Sequence, residues 1–516
     1  MLLSWKIFIF GLFVIFNQLE IFCATDLSQN LTKNEKIQIQ SANFHWLPYK
    51  KILEDETEHH PHVEECIDRP SSIDEFPKGI FTKKQLLHGL VILNILAAVY
   101  FFICLAFICE KYFLPSVERI CKILKISPDV AATTFMATAT TMPEFFTNTV
   151  STFVAESDMG LSAIVGSTLF NTLGVAACAS LFARQPIQID WWPITRDSIL
   201  FSMNVIILVL FAWDGIIMWW ETCILMTLYV LYWTLMFQNK RIMNFVKNIV
   251  EERLMWCQRI KNYDIENQRP RETQSGIENS SYVESEISTN EVNEIKQTEE
   301  EEVENVFELW KLPENRTTLI IFWYIFTWPI RFLLHYTIPD PVKHKNLFPI
   351  SFLMCVIWIG CTSYMVFWMV VIIGDTFEIP EPVMGLTFLA FGGCMPEAIS
   401  AVIVARKGSG EMGVSNALGA NSLAILFSLG IPWFITTMMN GAGWTGAHIH
   451  IYSYGMEYTI MVLILAVIVL YSILAFHGYK LRKIAGLYLF IAYFVFATFA
   501  VLMEFNVFLV GAPVDC

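Results

Sequence analysis

Charge is scarce in this sequence. Only 16% of its 516 residues are Asp, Glu, Lys or Arg, against roughly 25% in a soluble globular protein. No basic stripe runs beside aromatic platforms, so a nucleic-acid partner is not expected. The twelve cysteines show no metal-binding spacing. Most lie in apolar runs, where small buried thiols are ordinary. No nucleophile or metal-ligand triad accompanies the acids buried in these runs, so an enzyme is not expected either.

Long hydrophobic runs are what the chain has instead, among them Leu87–Cys109, Ile217–Phe237 and Tyr458–Phe476. A run of about 20 apolar residues spans a hydrocarbon core about 30 Å thick when helical. The hydropathy is too continuous for barrel strands, and lipid offers no partner to an unpaired backbone group. The expected fold is therefore an all-α polytopic membrane protein. Spans are predicted near 87–110, 127–154, 160–183, 195–213 and 216–238, then near 349–374, 380–405, 411–436, 456–476 and 484–509.

The net charge of -14 resides mostly in two hydrophilic stretches, 25–86 and roughly 251–310, read as solvated segments. Lys6, the apolar run Ile7–Phe16 and Cys23-Ala24 predict a signal peptide over 1–24. Residues 25–86 then form an exported segment with a glycosylation acceptor at Asn30. Cys66 and Cys516 face outward in this scheme and are candidates for a disulfide, with each other or with another external cysteine. Lys111, Arg119, Lys122, Lys125, Lys240, Arg241, Arg406, Lys407, Lys480, Arg482 and Lys483 mark cytoplasmic loops. A first transmembrane half over 87–238, an acidic cytoplasmic loop over 239–316, a second half over 349–509 and an external tail over 510–516 follow. The apolar stretch 317–338 is interrupted by Pro329, Arg331 and His335. It is read as an interfacial or re-entrant helix, because a full crossing there would invert everything after it.

One internal repeat stands out. Thr134-Phe135-Met136-Ala137 matches Thr387-Phe388-Leu389-Ala390, Met142-Pro143-Glu144 matches Met395-Pro396-Glu397, and Gly166 matches Gly419, all at an offset of 253. The helix bearing Glu144 ends near Glu156 and the helix bearing Glu397 ends near Arg406, so the copies should be inverted. Inverted repeats with interrupted polar helices place ion sites near the bilayer midplane.

Pro143 and Pro396 interrupt their helices and should release carbonyls near Ala139 and Gly392 toward a cation. A carboxylate follows each proline. A charged side chain at the bilayer centre costs about 2.5–3.5 kcal/mol on insertion scales, which makes an idle glutamate improbable. Thr140, Glu144 and Asn148 share one helix face, flanked by Thr141, Thr147 and Ser151; Glu397 and Ser400 lie one turn apart. Asn171 and Asn421 lie in the next helix of each copy. An oxygen-rich set without a histidine or cysteine cluster suits hard cations rather than zinc or copper. Two carboxylates balance one divalent ion, and exclusive occupancy of overlapping sites is the simplest route to exchange.

At these residues the sequence resembles the potassium-dependent sodium/calcium exchangers of the cation/calcium exchanger superfamily. Residues 134–174 resemble the first alpha repeat and 383–433 the second, which carries Val383-Met384-Gly385-Leu386-Thr387-Phe388-Leu389-Ala390, Ile403-Val404-Ala405-Arg406-Lys407-Gly408 and Val414-Ser415-Asn416. The resemblance implies two inverted five-helix halves with a signal peptide and a central cytoplasmic loop. It also implies sodium/calcium antiport at the plasma membrane, with calcium and sodium ions as cargo, no cofactor, and Glu144 and Glu397 as paired ligands. Glu397 stands where many relatives have aspartate. Departures are Ala420 and Ala424, where relatives usually have serine and a potassium-binding aspartate, and Gly393-Cys394 in place of a Thr-Ser pair. Calcium exchange without potassium is the expectation these departures raise. An exchanger of an internal membrane coupled to other cations, and a transport-inactive scaffold, are the alternatives.

Overall fold

A computed structural model describes residues 72–79, 81–126, 131–239, 241–246, 248, 318–339, 347–408, 410–439, 448–451, 453 and 455–505. The predicted signal peptide, Asn30, Cys66, Cys516 and nearly all of the acidic loop lie outside the described residues. Residues 242–246 are helical and belong to a unit of the chain separate from the helices below.

The described chain is helical. In order it forms α1 (Lys83–Ile123), a broken helix α2 (132–155), α3 (Met159–Phe182), α4 (Trp191–Ala212), α5 (Trp219–Phe237), α6 (Thr318–Thr337), α7 (Phe348–Phe377), α8 (Glu381–Lys407), α9 (Gly410–Met439), α10 (Met456–Phe476) and α11 (Lys483–Glu504). Nine of these, all but α2 and α6, are long and apolar enough to cross a membrane. Each predicted span overlaps a helix, and the first differs most in extent. The charged pair Glu110-Lys111 was expected to end the first span, yet α1 runs on to Ile123. Tyr112, Phe113, Val117 and Cys121 turn inward there, while Glu118 and Lys122 pair on the outer side at 2.8 Å. The helix becomes amphipathic instead of stopping. Near its start it bends at Gly89, whose φ of 110° is open to glycine.

Loop contacts sort the helix ends into two sets. In one, Lys83 at the start of α1 pairs at 3.3 Å with Asp375 in the last turn of α7. The Asp158 carboxylate accepts from the Ser453 N–H at 2.7 Å, and strand β2 (Ile216–Met218) pairs antiparallel with β3 (His448–His450). In the other set, β1 (Ile187–Gln188) pairs with β4 (Lys480–Leu481). There the Asp190 N–H donates to Glu411 at 2.8 Å, Arg406 lies over the Phe182 ring, and Trp192 Nε1 donates to Asn239 at 3.4 Å. Helix α6 lies along α1 and α7: Phe326 meets Tyr100 edge-on at 5.3 Å, and Ile330 and Leu334 are buried with Ile108 and Ile359.

Candidate functional site

Both copies of the repeat fold the same way locally. A π-helical turn occupies Ala132–Met136 in α2 and Gly385–Leu389 in α8, the same register at the 253-residue offset. A second pair, Phe170–Val175 in α3 and Ala424–Leu429 in α9, differs from that register by one residue. Such turns interrupt the regular hydrogen-bond ladder and are frequent at functional sites. The copies differ at their prolines. α8 continues through Pro396. In α2 the helix breaks two residues ahead of Pro143, at Thr141 (φ −88°, ψ 3°), whose N–H is directed at the carbonyls of Ala137 and Ala139. The Thr141 carbonyl accepts the Ser428 hydroxyl at 3.3 Å.

Two adjoining cavities sit between these helices. The larger, about 130 Å³, is lined by Thr140, Pro143, Gly392, Gly393, Pro396, Glu397, Ser400 and Asn416, with Cys109 and Glu110 of α1. The smaller, about 20 Å³, is lined by Pro143, Glu144, Thr147, Ser167 and Gly393; that is room for one water-sized occupant. Phe102, Leu105, Pro143 and Gly393 line both. Glu144 and Glu397 thus face neighbouring spaces across a shared wall. A Cβ placed on Gly393 would meet nothing within 4 Å, so this residue leaves the wall open.

The polar atoms here are not all satisfied. Glu144 Oε2, Glu397 Oε2, Asn171 Oδ1 and Asn421 Oδ1 are buried without a hydrogen-bond partner. Buried oxygens are normally paired. These four, on α2, α3, α8 and α9, are all acceptors, the donor chemistry that a hard cation takes. Asn171 sets its side chain beside Glu397, and Asn421 Nδ2 donates to Thr172 Oγ1 at 2.9 Å.

The other predicted residues divide. Thr140, Thr147 and Ser400 line one cavity or the other. Thr141, Asn148, Asn171, Asn421 and Ala424 are buried and line neither of these two. Asn148 Nδ2 donates to the Ser428 carbonyl at 2.8 Å, tying α2 to α9. Thr140 and Thr141 hydroxyls turn back onto the carbonyls of Ala137 and Thr138, at 2.9 and 3.0 Å. Sequence reasoning missed Thr172, Ser428 and Glu110. Thr172 stands next to Asn171 in the same π-helical turn. Ser428 contributes through backbone and hydroxyl contacts that no spacing announces.

Comparison with known proteins bears on this arrangement. Residues 94–238 and 347–502 match the family described as sodium/calcium exchanger protein. The human sodium/potassium/calcium exchanger 5 is 35% identical over 464 residues, covering 86% of this chain and 89% of its own. The mouse sodium/potassium/calcium exchanger 4 is 31% identical over 550 residues, covering 87% of each. A solved structure of the sodium-calcium exchanger NCX_Mj, soaked with 100 mM Na+ and 10 mM Sr2+, aligns with a TM-score of 0.42 at 17% identity, over 78% of this chain and 97% of that one. Matched by the family across most of its helices and by full-length relatives above 30% identity, the chain belongs to the sodium/calcium exchanger family.

Proposed function

We propose that the protein is a multi-pass antiporter that moves calcium out of the cytosol against sodium entry, with Glu144 and Glu397 as the paired acidic ligands. The observation that carries this reading is the pair of carboxylates on adjoining cavities, each with one buried oxygen unpaired. The names of the relatives, sodium/potassium/calcium exchangers, agree with it. Thr140, Thr147 and Ser400 supply hydroxyls to the same spaces, and Asn171 and Asn421 supply amide oxygens behind them. Alternating access follows if the calcium and sodium sites overlap, so that one ion must leave before the other binds.

The two copies are read as inverted halves. The helix bearing Glu144 ends toward the set of loops with Lys83 and Asp375, and the helix bearing Glu397 ends toward the set with Asp190 and Glu411. Basic residues gather in the second set, which we assign to the cytoplasm. Helix α5 ends in that set through Asn239, and α7 starts there because its far end meets Lys83. The segment between them thus returns to its starting side, and α6 is assigned as interfacial or re-entrant. The plasma membrane is the proposed location, with the chain's acidic loop inside and its first 24 residues a cleaved signal. Potassium is proposed not to be required, because position 424 is a buried alanine among Leu423, Ile425 and Leu426.

Calcium uptake into sodium-loaded cells tests the proposal. Reversing the sodium gradient should drive calcium entry. A correctly expressed protein with no flux under any combination of sodium, potassium and protons would favour the scaffold reading.

A further inference from the structure

An exposed hairpin of the helical unit holds a feature that ion exchange does not use. Strand β3 is His448-Ile449-His450, and its alternation puts both imidazoles on one side of the strand. Their Nε2 atoms converge to 2.9 Å. The rings stand at 84° to each other with centroids 4.5 Å apart. Strand β2 holds β3 in register, with Met218 opposite His448 and Ile216 opposite His450. Two carboxylates cap the backbone of β2: Asp214 accepts from the Ile216 N–H at 3.2 Å, and Glu221 from the Met218 N–H at 2.8 Å. The hairpin thus carries two converging nitrogens on a strand with fixed register, next to negative charge.

We propose that His448 and His450 form a bidentate site for a divalent transition-metal ion of the zinc class. Neutral imidazole nitrogen suits zinc, copper and nickel, and not calcium. A tetrahedral zinc with Zn–N distances of about 2.0–2.1 Å sets its nitrogens about 3.3–3.4 Å apart. The observed pair is only a few tenths of an ångström closer, so a small side-chain rotation admits the ion. Among the described residues no third His, Cys, Asp or Glu completes a three-ligand group. Both rings are exposed, so an ion reaches them from solution without rearranging the helices. Asp214, ahead of the paired strand, and Glu221, in the first turn of α5 after it, add negative charge that favours a cation.

The site joins two loops, the α4–α5 turn through β2 and the α9–α10 connection through β3. It is independent of the transport reading. The test is zinc titration of the purified full-length protein in detergent by calorimetry. Wild type should bind one zinc at this site, and His448→Ala or His450→Ala should each weaken it by at least about tenfold, since even an outer-shell partner is worth about 10–100-fold. The double substitution should remove that zinc entirely while melting behaviour stays unchanged, because both side chains are exposed. Nickel should compete and millimolar calcium should not. Zinc stoichiometry and affinity that survive the double substitution, or displacement by calcium, would overturn the proposal. Failure here leaves calcium flux untouched, and failure of flux leaves this binding untouched.

Discussion

Gly166 of α3 lies directly on Leu386 of α8: a Cβ on Gly166 would overlap the Leu386 carbonyl and come within 2.6 Å of Ala390 Cβ. Its counterpart in the repeat, Gly419, has room, with only the Asp197 carboxylate at 3.6 Å. Gly166→Ala should therefore force the two helices apart and destabilise the protein by about 1–3 kcal/mol, the usual range for overpacking. Gly419→Ala should be nearly neutral. Thermal melting of the two variants in detergent separates them; equal melting points would show that α3 and α8 have slack the structure does not display.

Glu144→Gln and Glu397→Gln keep side-chain size and remove charge. Each should reduce sodium-dependent calcium uptake at least about tenfold, that is, by about 1.4 kcal/mol or more in the flux-limiting step. Surface expression should hold, since losing a buried charge removes a burden on insertion. Sodium-driven uptake that remains near wild type in both variants would take the cation away from this pair.

Much of the fold was legible because lipid is a strict solvent. Apolar length located nine of the ten expected spans, all but the one that folds as the broken α2, and Gly408, with φ 101°, ends α8 where a glycine after Arg406-Lys407 suggests. The end of α1 was not legible from hydropathy: Glu110 looks like an interface, but an interior wall formed by Tyr112, Phe113 and Val117 keeps the helix going. At the site, the two Met-Pro-Glu words gave the carboxylates, because an acid in an apolar run carries a cost. Asn421's partner Thr172 was hidden, since the contact joins residues 249 positions apart. Pro143 pointed to a break; the break falls at Thr141, whose carbonyl accepts the Ser428 hydroxyl from another helix, a contact no spacing announces.

The Asn421–Thr172 hydrogen bond ties the second repeat to the first. A double-mutant cycle with Asn421→Ala and Thr172→Val, read by thermal unfolding, should give a coupling of about 0.6 kcal/mol and at most about 1.7 kcal/mol, the range measured for such bonds in membrane proteins. Asn421→Ala should also weaken calcium uptake, because Asn421 Oδ1 is one of the four unpaired oxygens. A zero coupling together with normal uptake would assign Asn421 to packing alone.

Ala424 decides the question of potassium. It begins the π-helical turn Ala424–Leu429 and is buried among aliphatic side chains. A methyl group offers potassium no oxygen, so calcium uptake by the wild-type protein should be the same whether external potassium is replaced by choline or lithium. Ala424→Asp puts a carboxylate into that turn, where desolvation is costly unless a cation enters with it. Uptake by this variant should therefore rise with potassium, and its thermal stability should rise with potassium too, as a bound ion stabilises the state that holds it. The two readouts guard against misfolding: a variant too unstable to transport still shows the potassium-dependent melting shift if the site has formed. A strong potassium requirement in the wild type, left unchanged by Ala424→Asp, would mean that potassium is held elsewhere and that the alanine is incidental.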